Sequence, residues 1–137
     1  MQLIHAQDLS RIGTPDVWLS NTQDVTQVNL TSARRIALAF PKFTDGRAYT
    51  QAFLLRRRLG FTGELMATGE VLVDQLEAMR RCGFSIAVLQ DDQDLAVAHR
   101  LLGLFSKHYQ GDAVQPDPAF VSQAVFASHA LLLGVGA

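Results

Sequence analysis

The feature that most narrows the fold is an alternation between residues 35 and 109, in which a short apolar run is followed by a segment of helical spacing, three times over. The runs are Ile36 to Phe40, Leu65 to Ala67 and Ile86 to Leu89. In the first and third, polar residues do not alternate with apolar ones, which predicts parallel strands covered on both faces. After the first run, Ala48, Ala52, Leu55 and Leu59 recur at i, i+4, i+7 and i+11, opposite Arg56 and Arg57. After the second, Leu72, Leu76 and Met79 repeat that face, with Asp74, Glu77, Arg80 and Arg81 outward. Leu95, Ala98, Leu102 and Phe105 do the same after the third.

The punctuation agrees. Gly60 and Gly83 stand just past the first two periodic segments, where a left-handed residue ends a helix. Asp45, Thr68 and Asp92 are the candidate N-caps of the three helices in turn. Strand, helix and strand in close succession imply right-handed crossovers and a parallel sheet. The expected class is α/β: a small, mostly parallel sheet of consecutive strand–helix units, with Rossmann-like or half-barrel-like layers.

Leu3-Ile4 and Val17-Trp18-Leu19, separated by the turn signal Thr14-Pro15-Asp16, are expected to add N-terminal edge strands. Gly111 to Pro118 reads as a linker. From Phe120 to Leu133 only Ser122, Gln123, Ser128 and His129 are polar, so a helix there would pack on the body or on a second subunit. The resulting plan is one α/β domain over residues 1–110 with its core at 35–109, a linker over 111–118 and an apolar C-terminal helix over 119–137. Self-association is expected through that helix or through a sheet edge.

With 137 residues there is enough chain for one core. A hydrophobic fraction of 48% excludes disorder, and a net charge of -1 gives no electrostatic reason to bind nucleic acid. The run Arg56, Arg57 and Arg58 is read as a solvated helix face. A single cysteine, Cys82, excludes an internal disulfide and cysteine-rich metal sites. It is read as a structural thiol, with Arg80 and Arg81 as the groups able to activate it. Met1 to His5 lacks a basic segment leading into an apolar one, and the run Ala130 to Val135 is far shorter than the roughly 20 residues that cross a bilayer. The expected compartment is the cytoplasm, with no membrane association.

In parallel α/β sheets ligands bind beyond the carboxyl ends of the strands. The loop leaving the first core strand, Phe40-Pro41-Lys42-Phe43-Thr44-Asp45-Gly46-Arg47, is the best equipped. Lys42 and Arg47 supply cations, and Thr44, Asp45 and Gly46 lead into a helix N-terminus, a combination suited to phosphate, sulfate, sulfite or a carboxylate. Thr68 and Gly69 of the second loop would join the same crevice. The competing reading is structural: Asp45 caps the helix and pairs with Arg47 while Lys42 is solvated. Glu70 suits a first helical turn, and the acidic Gln90-Asp91-Asp92 loop offers helix caps, a magnesium site or partners for Lys42.

No glycine-rich dinucleotide motif, phosphate loop, zinc-protease motif or nucleophile elbow is present. His5, His99, His108 and His129 are dispersed without metal-binding spacing. Neither a cofactor nor a metal is implied, and whether the chain is an enzyme stays open.

Leu38 to Arg47, together with Leu54-Leu55-Arg56, Gly63-Glu64-Leu65, Asp74-Gln75-Leu76, Arg80-Arg81-Cys82-Gly83-Phe84, Phe105-Ser106 and Tyr109-Gln110, resembles the bacterial family called domain of unknown function 934. The resemblance covers roughly residues 34 to 110. Members of that family are usually encoded beside assimilatory sulfite reductase genes, and many carry an oxidoreductase label on that neighbourhood alone. The resemblance therefore implies an accessory role in cytoplasmic sulfite reduction, with sulfite reductase components as the expected partners, and it carries over no catalytic residues. The alternative from the residues themselves is a small anion-binding enzyme or sensor built on the Lys42–Arg47 loop.

Overall fold

The computed structural model describes residues 1–104 and 110–118. Five strands, β1 (Gln2–His5), β2 (Val17–Leu19), β3 (Arg35–Phe40), β4 (Glu64–Gly69) and β5 (Ile86–Leu89), form one all-parallel sheet in the order β1-β5-β4-β3-β2. The helices are α1 (Arg47–Arg57), α2 (Leu76–Cys82) and α3 (Leu95–Gly103). The three core strands stand where the apolar runs predict them, and the two N-terminal segments are the edge strands.

Strand parity explains the uninterrupted apolar runs. Ile36, Leu38, Phe40, Leu65, Ala67, Ala87 and Leu89 point to one face, where Ala48, Ala52 and Leu55 of α1, Leu76 and Met79 of α2, and Ala98 of α3 complete the main core. Their neighbours Ala37, Met66, Ile86 and Val88 point to the other face and meet Ile4, Leu9 and Ile12. The 3-10 segment Ala6–Ile12 thus covers the second face.

Topology explains why that segment lies opposite the helices. From β1 the chain crosses the whole sheet to β2, then returns one strand at a time through β3 and β4 to β5. Crossovers of one hand that run in opposite directions must use opposite faces. Neighbouring strands β1 and β5 consequently send their exits to different faces, which makes the crevice between them the switch point of the sheet.

The helix ends correct three of the expected caps. Asp94, not Asp92, caps α3: its Oδ1 accepts from the N–H groups of Ala96 at 2.8 Å and Val97 at 3.3 Å. Asp94 directly precedes the first residue that packs, and that proximity decides. Thr68 lies inside β4, because the strand runs past its apolar run to pair Thr68 with Ala39 and Gly69 with Phe40. A 3-10 turn, Val73–Gln75, leads into α2 instead. Helix α1 opens at Gly46 without a side-chain cap, while Asp45 accepts from the Arg47 N–H. Gly83 takes the left-handed conformation that ends α2, and Gly60 is left-handed just beyond α1.

Arg56 is a fourth correction. Arg57 and Arg58 are solvated as expected. The Arg56 guanidinium instead donates to the carbonyls of Gly83 at 2.9 Å, Phe61 at 2.8 Å and Gly63 at 2.6 Å. It joins the end of α2 to the entry of β4, because the aliphatic stem is long enough to carry the charge across the helix edge.

Residues 111–113 are tied to α2: Asp112 Oδ2 accepts from Arg81 Nε at 3.1 Å, and the Ala113 N–H donates to the Arg81 carbonyl at 3.0 Å. The helix expected over 119–137 lies outside the described residues, as do Phe105, His108 and His129. Among the described residues no helix is long and apolar enough to cross a membrane.

Candidate functional site

The β3–β4 register sets Thr68 beside Ala39 and Gly69 beside Phe40, so the loop over residues 41–46 and the end of β4 are neighbours, as anion binding would require. Their polar groups, however, are largely engaged within the protein. Asp45 holds Arg47 by both oxygens, with Nη2 to Oδ2 at 2.6 Å and Nε to Oδ1 at 3.1 Å, and also receives Asn21 Nδ2 at 2.7 Å. Thr68 Oγ1 donates to the Leu38 carbonyl at 3.2 Å. Only the Lys42 and Thr44 side chains make no hydrogen bond among the described residues. The chemistry that made Arg47 an anion ligand in the sequence also makes it the partner of a carboxylate two residues away.

That pairing has a pH signature. The Arg47 side chain, then the Arg47 N–H, hold the Asp45 carboxyl down at about 2 from its ordinary 3.8. A carboxylate whose folded pKa lies below its unfolded value stabilises the fold above the unfolded pKa and loses that contribution as the pH falls through the folded one. The stability gap between the native protein and Asp45→Asn is therefore expected to narrow as pH is lowered from above 3.8 to about 2, measured by urea midpoints. A gap that does not change with pH would mean that Asp45 is not paired in solution.

The loop does something that its sequence does not announce. Glu70 Oε2 accepts from the Phe43 N–H at 2.9 Å, Gln75 Nε2 donates to the Phe43 carbonyl at 2.7 Å, and the Asp45 N–H closes the turn on the Lys42 carbonyl at 3.0 Å. Both main-chain polar groups of Phe43, its N–H and its carbonyl, are thus clamped by side chains from the following strand–helix unit. Phe43 is nevertheless 48% exposed. Glu70 was legible only as an acid suited to a helix start, and no local pattern marks Gln75 as a loop brace.

The neighbouring loops are braced as well. Buried Gln51 donates from Nε2 to the carbonyls of Ser20 at 2.8 Å and Gln23 at 2.9 Å, fixing the loop after β2, and Asn21 links that loop to Asp45. At the β1–β5 switch point, His5 Nε2 donates to the Gln93 carbonyl at 2.8 Å and Asp91 Oδ1 accepts from the Gln7 N–H at 3.2 Å. Asp91 is thus a brace rather than a partner of Lys42. Among the described residues no cluster of three histidine, cysteine or acidic side chains could hold a metal. Burial pushes the Cys82 thiol up against the opposing pull of the Arg81 charge, while Arg81 pairs with Asp112 and Arg80 with Glu77.

The carboxyl end of the sheet is therefore a set of cross-linked loops carrying one exposed, clamped aromatic beside one solvated cation. A family model described as "Bacterial protein of unknown function (DUF934)" matches residues 16–120, a span that begins at the residue before β2. No curated protein matches the chain, and no solved structure does.

Proposed function

The chain belongs to the bacterial family of unknown function DUF934, and from that premise we propose that it is an accessory protein of assimilatory sulfite reduction, docking on a component of that system through the Phe43 loop. The single observation that carries the docking role is the contrast at Phe43 between a main chain fixed at both its N–H and its carbonyl and a residue left 48% exposed. Free energy lost in ordering an interface loop is subtracted from affinity, so a pre-fixed aromatic makes an efficient anchor. Such anchors dominate binding energies when a partner pocket closes over them. Lys42 supplies a polar rim, which favours a partner with acidic groups around an apolar pocket. The sulfite-reduction setting rests on the family resemblance.

The test is binding of purified sulfite reductase subunits and their electron donor to the full chain and to Phe43→Ser. Wild type is expected to bind one of them, and the variant to bind at least ~10-fold more weakly, about 1.4 kcal/mol, with an unchanged unfolding midpoint. Absence of binding by wild type, or equal binding by the variant, overturns the reading.

A second reading, a small anion-binding enzyme or sensor using Lys42, Thr44, Asp45, Gly46, Arg47, Thr68 and Gly69, is favoured by the register that sets Thr68 and Gly69 beside Ala39 and Phe40. It requires an anion able to draw Arg47 away from Asp45. Sulfite binding that disappears in Lys42→Ala would support it.

A further inference from the structure

The opposite end of the sheet, where the strands begin, is hollowed by three adjoining cavities. A cavity of about 820 Å³ lies there, lined by Arg34, Arg56 and Arg80 and by the apolar Phe61, Phe84 and Val114. A second, of about 580 Å³, adjoins it through Phe61, Thr62 and Gly63, and a third of about 310 Å³ adjoins it through Glu64. Arg34 lines all three.

The charge pairing decides what such a space can take. Glu64 is held by Arg35 at 2.6 Å, and Arg80 holds Glu77 at 2.6 Å, so those four charges offset one another. Arg56 has no carboxylate: its three bonds go to carbonyl oxygens, using Nε and Nη1 and leaving both hydrogens of Nη2 without a partner among the described residues. Carbonyl dipoles solvate a guanidinium without cancelling its charge, and a half-buried charge is costly unless a counter-charge reaches it. The Arg34 guanidinium makes no hydrogen bond among the described residues. Asp16, in the smallest cavity, accepts hydrogen bonds from the main-chain N–H groups of Arg34 and Arg35 and feels the charge of both side chains without a hydrogen bond to either guanidinium. Thr62, exposed on the rim shared by the two larger cavities, adds a hydroxyl that makes no hydrogen bond among the described residues.

We propose that the amino-end cavity binds a small phosphate monoester, its phosphoryl group met by Arg34 and the free edge of Arg56 and its organic part lying against Phe61 and Val114. Two guanidinium groups with no hydrogen bond to a carboxylate among the described residues match the near-double negative charge of such an ester at neutral pH, and the cavity is of ordinary small-ligand size. The apolar wall distinguishes an ester from the inorganic ion. This site lies at the end of the sheet away from the Phe43 loop, so the two assignments stand or fall separately.

The experiment is calorimetric titration of the full chain with phenyl phosphate, with inorganic phosphate and phenol as the separate halves of that probe. Saturable binding of phenyl phosphate is expected, at least tenfold tighter than inorganic phosphate, with none for phenol. Arg34→Ala is expected to weaken it at least tenfold while the unfolding midpoint stays unchanged, since the main-chain N–H used by Asp16 remains. Arg34→Gln, which keeps the length and loses the charge, is expected to weaken it likewise, and Lys42→Ala and Phe43→Ser to leave it intact. No saturable binding, full binding by both Arg34 variants, or loss in Lys42→Ala would each overturn the assignment.

Discussion

Gly69→Ala is expected to lower the unfolding free energy by about 3 kcal/mol or more, with a midpoint drop on the order of 10 °C, although it adds a single methyl group. Gly69 closes β4 opposite Phe40 with a φ of 97°, a conformation that a residue with a Cβ adopts only under strain. An alanine Cβ there would lie 2.3 Å from the Phe40 carbonyl oxygen and 3.0 Å from its carbon. Backbone is the obstacle, and this backbone cannot yield cheaply. Phe40 is fully buried, its ring packed on Tyr49 at 5.1 Å and Phe84 at 5.7 Å, so moving it opens the centre of the main core. The same carbonyl accepts the Glu70 N–H at 2.8 Å, and Glu70 in turn holds Phe43. The substitution should therefore loosen the Phe43 loop as well as the fold. Gly46 supplies the control, because its φ is -86° and nothing lies within 4 Å of the place a Cβ would take. Gly46→Ala should be close to neutral. Urea unfolding of both variants checks the pair, and a Gly69→Ala midpoint within error of the Gly46→Ala midpoint would show that the close passage at β3–β4 is absent in solution.

What the chain discloses in advance follows the range of the interaction. Ile36 to Phe40 and Ile86 to Leu89 were legible because burial on both faces removes polar residues from the strand itself. Val17 to Leu19 was legible as a strand, but not its place beyond β3, and nothing local sets β1 next to β5. Those placements depend on which face each crossover takes, a property of the whole path. The candidate site divides in the same way. Asp45 and Arg47 are two residues apart, so their pairing could be weighed from sequence. The clamp on Phe43 comes from Glu70 and Gln75, 27 and 32 residues away, and its hydrogen bonds go to main-chain groups that no side-chain pattern records. Arg56 misleads for a related reason: its guanidinium satisfies carbonyls of a loop and a helix end whose positions are fixed only by the fold.

Arg56 and Gly83 are expected to be energetically coupled. Arg56→Ala should cost about 3 kcal/mol, because three carbonyls lose a charged donor while staying partly shielded from water. Gly83→Ala should cost a comparable amount through two effects. At φ 105° any Cβ is strained, and this one would stand 2.4 Å from Arg56 Cγ. The second effect acts through the side chain that Arg56→Ala removes. In the double variant the collision disappears while the strain at residue 83 remains, so the combined cost should fall short of the sum by about 1 kcal/mol or more. Leu54-Leu55-Arg56, Gly63-Glu64-Leu65 and Arg80 to Phe84, three of the strings that carry the family resemblance, meet at this one guanidinium. If it serves only as a staple, sub-additivity is the whole of its signature. If its free edge also receives a phosphoryl group, phenyl phosphate should raise the unfolding midpoint of the wild type and leave that of Arg56→Ala unmoved. An additive cycle would show instead that alanine at 83 is accommodated without displacing Arg56, and the cost of Gly83→Ala would then be backbone strain alone.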